Sequence, residues 1–113
     1  SGIMFADQIR IGGLEVLAKH HIEEAMPACV EYLRTQNRWG SQKRSVELMA
    51  ILQQYGAHAQ TYVPELEKIA ANFEKGEGDF PRQATEQKVK AIRDGISVIK
   101  ASKDRPKLAR ISS

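Results

Sequence analysis

The chain has 113 residues, of which 42% are hydrophobic and 27% charged, as is usual for one soluble globular domain. No apolar run approaches the roughly 20 residues needed to cross a bilayer, and no secretory signal pattern opens the sequence. A single cysteine, Cys29, excludes an intrachain disulfide scaffold. We expect a soluble protein of unassigned compartment and oligomeric state. The opening residues Ser1 and Gly2 indicate a processed chain or a fragment of a larger protein.

The net charge of +3 is unevenly distributed along the chain. Residues 1–81 carry 8 basic and 11 acidic side chains, whereas residues 82–113 carry 9 and 3, so the two parts have net charges of −3 and +6. Such an asymmetry bears on association rather than on fold. The basic side chains that follow or end the last predicted helix are Lys100, Lys103, Arg105, Lys107 and Arg110.

Five helices are predicted from apolar residues at helical spacing. They cover residues 4–19, 23–36, 41–55, from residue 61 or 62 to the glycines at 76 and 78, and 82–101. No sustained alternation of apolar and polar residues competes with them, so the sequence predicts an all-α fold. From Ser102 onward we expect a loosely held basic tail over residues 102–113.

In the first helix, Val16 and Leu17 continue the apolar stripe beyond Gly12 and Gly13. We therefore expect a neighbouring helix to approach closely at the two glycines. In the second helix, Pro27 falls in the first turn, where its missing N–H does little harm. The apolar positions predicted to be buried there are Met26, Cys29, Tyr32 and Leu33, with Cys29 as a small hydrophobe rather than a reactive thiol.

The third helix is apolar over a wide arc, which predicts that neighbours cover it on several sides. Gly56 follows it as a C-terminal stop. The fourth and fifth helices each have a single apolar face, and Gly95 is a point where the fifth helix could break. The predicted core residues of these three helices are Val46, Leu48, Met49, Ile51, Leu52 and Tyr55; then Val63, Leu66, Ile69, Ala70 and Phe73; then Val89, Ile92, Ile96 and Ile99.

Two stretches resemble the same helical hairpin. Residues 52–59 read LQQYGAHA and residues 63–66 read VPEL, while residues 8–17 read QIRIGGLEVL. A helix ending in Leu-x-x-aromatic or Leu-Gly, followed by Ala and then Val-Pro-x-Leu, resembles the HEAT repeat, an armadillo-type helical repeat family. Arg10 lies at a position that is often basic in that family. The two hairpins are out of register by two residues, because the loop before Pro27 is shorter than the loop before Pro64.

This resemblance implies a short right-handed α-solenoid of about two and a half antiparallel helix pairs. Its units would be residues 4–36, 41–76 and 80–101 within a domain of residues 1–101, followed by the tail. Stacked units bury surfaces that one hairpin leaves exposed, and about three units are needed for stability. An irregular five-helix bundle is the alternative fold.

Such a fold implies a non-enzymatic protein-interaction or scaffold module with a protein partner, and no sequence pattern requires a cofactor, a metal or a catalytic centre. His20, His21 and His58 end the predicted hairpins and would lie on one edge, where solvated loop histidines are the expected interpretation. Trp39, in a predicted turn, would cover the adjacent core or anchor a partner. The alternative function is nucleic-acid binding through the basic third of the chain.

Overall fold

The computed structural model describes residues 2–35, 42–75 and 82–110. It confirms the all-α fold. The helices are α1 (Gly2–Lys19), α2 (Ala25–Arg34), α3 (Gln42–Gln53), α4 (Val63–Glu74) and α5 (Arg82–Ala101), and a 3-10 helix over Gly56–Tyr62 joins α3 to α4. The one β-type pairing in these ranges is a single parallel bridge between Ile22 and Ala109. Over the described residues, no helix is both long and apolar enough to span a membrane.

The most extensive helix packing involves α5, which lies against both α3 and α4. On the other side of α3 lies α1, while α2 packs against α1, α3 and α4. Two ion pairs fix α4 and α5 as antiparallel neighbours, because Glu67 pairs with Lys100 at 3.0 Å and Glu74 pairs with Arg93 about two helical turns away along both helices. The end of α5 therefore lies beside the beginning of α4.

Most of the predicted core is confirmed. The buried side chains of α2, α4 and α5 include every predicted position except Phe73, which is partly buried against the core. In α3 the prediction is wrong for Val46, which is 54% exposed, and in α1 it is wrong for Val16, which is 58% exposed. The buried face of α1 instead contains Ile11, Leu14 and Ala18. This face also follows helical spacing, so periodicity alone did not distinguish the two faces.

Cys29 is a buried hydrophobe, as predicted. Its side chain is fully enclosed, and the Sγ thiol donates a hydrogen bond to the Leu48 carbonyl at 3.2 Å. Burial raises the pKa of the Cys29 thiol to about 12, because the thiolate would lose its hydration. The thiol is therefore neutral at physiological pH and packs as part of the core.

The close helix approach occurs at Gly95 rather than at Gly12 and Gly13, so the expectation for α1 is wrong. Apart from the chain neighbours and the nearby backbone of α1 itself, no atom lies within 4 Å of the place where a Cβ would stand on either glycine of α1. A Cβ on Gly95 would instead lie 2.5 Å from Met49 Cε and 2.8 Å from Met49 Cβ. Gly95 thus lets α5 approach α3, and α5 continues through this glycine without a break.

The end of α1 is closed by a Schellman motif with a histidine at the left-handed position. The N–H of Ile22 donates to the Leu17 carbonyl at 2.9 Å, and the N–H of His21 donates to the Ala18 carbonyl at 2.9 Å. His21 has a φ of 52°, a conformation that glycine usually supplies at this position. The chain thus places an imidazole where backbone geometry favours glycine.

Candidate binding edge

The expectation of a loosely held tail is wrong for residues 102–110, which we call the strap. The strap crosses the edge of the molecule that holds two interhelix turns. The first turn, residues 20–24, joins α1 to α2, and the second turn, residues 54–62, joins α3 to α4. This edge, with the strap and both turns, is called the binding edge below.

Backbone hydrogen bonds attach the strap to both turns. The N–H of Ala57 donates to the Asp104 carbonyl at 2.7 Å in the second turn. In the first turn, the N–H of Glu23 donates to the Ala109 carbonyl at 2.7 Å, and the N–H of Ala109 donates to the His21 carbonyl at 2.9 Å. Gly56 allows the first of these contacts, because its φ is 59° and a Cβ there would collide with the Asp104 carbonyl.

Side chains add further attachments. The imidazole Nε2 of His58 donates to the Pro106 carbonyl at 2.8 Å. The side-chain amide of Gln60 is the second donor. The Gln60 amide nitrogen lies 3.1 to 3.3 Å from the carbonyls of Ile99, Lys100 and Ser102, where it caps the end of α5. The carbonyl groups that end α5 therefore have a partner from the second turn.

The two turns are also joined directly. The hydroxyl of Tyr55 donates to the Ile22 carbonyl at 2.7 Å, and the rings of His21 and Tyr55 meet edge to face with centroids 6.1 Å apart. Burial is the main cause that raises the pKa of Tyr55 to about 12, and Cys29 adds to it. The phenol is therefore a neutral donor at physiological pH, so this link persists there.

The predicted basic residues fall into two groups. Lys100 pairs with Glu67 at 3.0 Å and Arg110 pairs with Glu23 at 2.8 Å, so their charges are partly compensated within the chain. Beside Glu23, the pKa of the Arg110 guanidinium is raised further. The second group forms no ion pair within the described ranges; it comprises Lys103, Arg105 and Lys107, all exposed, and is called the cation row.

The cation row lies beside the residues that anchor the strap. Pro106 and Leu108 are half-buried, and Leu108 packs against the core, whereas residues 103–105 and 107 are exposed. The apolar residues of the strap therefore hold it against the molecule while its charged side chains face solvent.

A groove lies beside the strap on the binding edge. Its volume is about 390 Å³, and the side chains that line it are mostly polar: His21, Gln53, Gln54, Ser102, Asp104 and Arg105. The lining comes from the first turn, the end of α3, the second turn and the strap, so four segments build the groove. The groove offers amide, hydroxyl, imidazole and guanidinium donors together with one carboxylate.

The electrostatics of the edge combine both signs. The helices α1, α3 and α5 all end here, and Lys19 and Lys100 lie in the last turns of α1 and α5, where a cation is favourable to the helix dipole. The edge also holds the carboxylates of Glu23 and Asp104. The cation row is therefore one strip of positive charge in a surface of mixed charge, rather than part of a uniformly basic face.

The structure brings most of the predicted site residues to this single edge. His20 is exposed, His21 lines the groove, and His58 holds the strap. In the described ranges, no group of three His, Cys, Asp or Glu side chains is placed to hold a metal ion. Trp39 lies outside the described residues. The sequence analysis missed that the loop histidines and the basic segment share one surface, although the alternation of cations with Pro106 and Leu108 indicated an anchored segment.

Comparisons with known proteins give no match: no protein-family model, no curated protein and no solved structure is similar to this chain. The class that the fold defines is an all-α protein with five helices in the described ranges.

Proposed function

We propose that this chain is a non-enzymatic protein-interaction module, and that its binding edge takes up an acidic segment of a partner protein. The observation that carries the proposal is the cation row. Lys103, Arg105 and Lys107 are exposed, have no ion-pair partner in the described part of the chain, and lie on a strap anchored to both turns. Because the strap is already ordered, binding would not have to order it again.

A protein partner fits this edge better than nucleic acid, which is the second candidate. Nucleic-acid binding relies on many phosphate contacts, commonly about 6–10. The cation row supplies only three uncompensated charges within the described ranges, fewer than such a set of phosphate contacts requires. A short acidic peptide can place its carboxylates on the row and its polar groups in the groove, so a mixed surface suits it.

We further propose that the fold is a short HEAT-like stack, part of a larger protein. The packing supports this, because α1, α3 and α5 contact one another in succession as one layer, and α2 contacts α4 as a second layer. One feature departs from the repeat pattern. Within the described helices, α3 and α4 do not contact each other, although the 3-10 helix and α5 each contact both of them. The irregular five-helix bundle therefore remains the competing description.

The test is a binding titration with a peptide of alternating Glu and Thr residues, followed by calorimetry. The double variant Arg105→Glu/Lys107→Glu should weaken binding by about tenfold or more, since charge-assisted contacts are lost and repulsion replaces them. The matched control is Lys68→Glu/Lys75→Glu, which reverses the same charge at two exposed positions, one in α4 and one directly after it. The control should bind like the unmodified chain.

Duplex and single-stranded nucleic acid are titrated in parallel between about 50 and 200 mM salt. Micromolar binding with a steep salt dependence, lost in the Arg105→Glu/Lys107→Glu variant, would favour the second candidate. Equal loss of peptide binding in both double variants would show that net charge alone governs association, and would remove the binding edge from the proposal.

A further inference from the structure

We infer that the groove of the binding edge takes the amino terminus of the acidic partner segment, and that the first residue of this segment is Glu or Asp. This inference rests on the proposed function and names the part of the partner that the groove recognises. The α-ammonium of that residue would lie at the Asp104 carboxylate, and its side-chain carboxylate would lie at the Arg105 guanidinium. The cation row would contact acidic residues further along the segment.

The first observation is that the polar side chains of the groove have no partner within the described chain. On the same edge, His58, Gln60 and Tyr55 use their polar atoms to hold the strap or to join the two turns. In contrast, no hydrogen bond or ion pair to another described residue is made by the polar side chains of the groove, which are those of His21, Gln53, Gln54, Ser102, Asp104 and Arg105. Polar groups that converge in this way can bind a polar ligand.

The second observation is that three helices end at the groove. Gln53 is the last residue of α3, Ser102 directly follows α5, and His21 lies just beyond α1. The carboxyl end of a helix carries about half a negative elementary charge. Lys19 and Lys100 lie in the last turns of α1 and α5, but neither lines the groove.

The Asp104 carboxylate adds a full negative charge beside these helix ends. It lines the groove and has no ion pair within the described ranges. A carboxylate together with helix carboxyl ends favours a cation. An ammonium group suits this position, because all of its N–H groups are donors and the surrounding groups include several acceptors.

The third observation limits the distance between the ammonium and the carboxylate of the ligand. Asp104 and Arg105 are consecutive residues of opposite charge, and both line the same groove of about 390 Å³. A ligand that meets both must carry its own opposite charges close together. An amino-terminal Glu or Asp has both groups on one residue, whereas a lysine carries its ammonium at the end of a flexible four-carbon stem.

The experiment uses the full chain and two peptides that differ only at the amino terminus. Both have alternating Glu and Thr residues and begin with Glu; one has a free α-amino group and the other is acetylated. Calorimetry should show that acetylation weakens binding about fivefold or more, because the charge-assisted contact to Asp104 is lost. Acetylation also makes the peptide more acidic, so simple attraction to the cation row predicts the opposite change.

Equal affinities of the two peptides would overturn the inference. If Arg105→Glu/Lys107→Glu still weakened binding of both peptides, the proposed function would stand without it. Absence of any peptide binding at low salt would overturn the proposed function and this inference together.

The variant Asp104→Asn tests the ammonium contact from the side of the protein. It removes the charge but keeps the size of the side chain and the backbone carbonyl that accepts from Ala57. In this variant the free and acetylated peptides should bind almost equally. The matched control is Asp94→Asn, the same change at an exposed carboxylate of α5 that pairs with Lys90 and does not line the groove. The control should keep the preference for the free amino terminus, and loss of that preference in both variants or in neither would overturn the inference.

NMR of the unmodified chain gives a measurement that does not depend on any variant. The side-chain NH2 signals of Gln53 and Gln54 should shift when the free peptide is added, and much less when the acetylated peptide is added. The NH2 signal of Gln60, which is already bonded to the carbonyls at the end of α5, serves as an internal reference. Shifts of Gln60 as large as those of Gln53 would show a general change of the edge rather than occupation of the groove, and would overturn the inference.

A third peptide distinguishes the amino terminus from other ammonium groups. It is acetylated and carries one lysine before the same Glu and Thr sequence, so its net charge equals that of the free peptide. We expect it to bind about as weakly as the acetylated peptide. Binding as tight as that of the free peptide would overturn the assignment to the amino terminus.

Discussion

Gly95 and Gly13 offer the same substitution in two opposite environments, and the structure predicts opposite effects on stability. In Gly95→Ala, the new Cβ would lie 2.8 Å from Met49 Cβ, an atom fixed to the backbone of α3. No rotation of the Met49 side chain relieves this contact, so α3 and α5 must move apart. Overpacking of this kind costs about 1–3 kcal/mol, and the helix propensity of alanine returns about 1 kcal/mol. We expect a net destabilisation of about 1 kcal/mol.

In Gly13→Ala, the new Cβ meets no atom within 4 Å. Only the propensity term remains, and it should stabilise the chain by about 0.4–1 kcal/mol. The two variants should therefore differ by roughly 2 kcal/mol in the free energy of unfolding. With urea m-values of about 1–3 kcal/mol per molar, their unfolding midpoints should differ by about 1 M.

The assay is urea unfolding followed by circular dichroism at the helix band, with equal slopes for both variants as the condition for comparison. If Gly95→Ala were as stable as Gly13→Ala, the close approach of α5 to α3 would be refuted. Gly12→Ala repeats the control, because its surroundings are equally open.

Three further outcomes follow from the same contacts. Gln60→Ala should lower the free energy of unfolding by about 1 kcal/mol and speed amide exchange in residues 102–104, since the carbonyls that end α5 lose their partner; unchanged exchange there would contradict the capping role. Tyr55→Phe should lower the free energy of unfolding in urea by about 1 kcal/mol, because the hydrogen bond to the Ile22 carbonyl is lost. Tyr62→Phe should lower it less, because the Tyr62 hydroxyl makes no hydrogen bond in the described ranges. Burial raises the pKa of Cys29 from 9.0 to about 12, so the unfolded chain loses the thiol proton at a lower pH than the folded chain. The contribution of the neutral thiol to the free energy of unfolding should therefore be fully present below pH 9 and fall by at most about 1.4 kcal/mol per pH unit between pH 9 and 12. Cys29→Ala should show a shallower decline over that window, and an identical decline would contradict the buried neutral thiol.

Helix content, the helix bounds and most of the core follow from local pattern. The apolar face of α5 and its bounds at Arg82 and Ala101 were predictable because spacing, turn residues and propensity agree there. The face of α1 was not, since its Val16 and its Ile11 each belong to a stripe with helical spacing. A neighbouring helix decides between two such stripes, and its position is a tertiary property.

The binding edge shows the same division between local and long-range information. The loop histidines and the basic segment were recognised separately, because each has a clear composition. Their meeting depends on contacts such as that between Glu23 and Ala109, which no local pattern encodes. Gly95 was also recognised from the sequence as an unusual residue within a helix. Its role in the close approach of α5 to α3 depends on the position of Met49, which the sequence does not give.

The pairing of Arg110 with Glu23 spans 87 positions of the chain, and the bridge between Ile22 and Ala109 spans the same number. Contacts of such long sequence separation form late, because a large loop must close before they contribute. During synthesis on the ribosome, the first interhelix turn must wait for residue 109 to emerge before its last hydrogen bonds can form. Until then the His21 carbonyl and the Glu23 N–H of the nascent chain lack the partners that Ala109 provides in the folded protein.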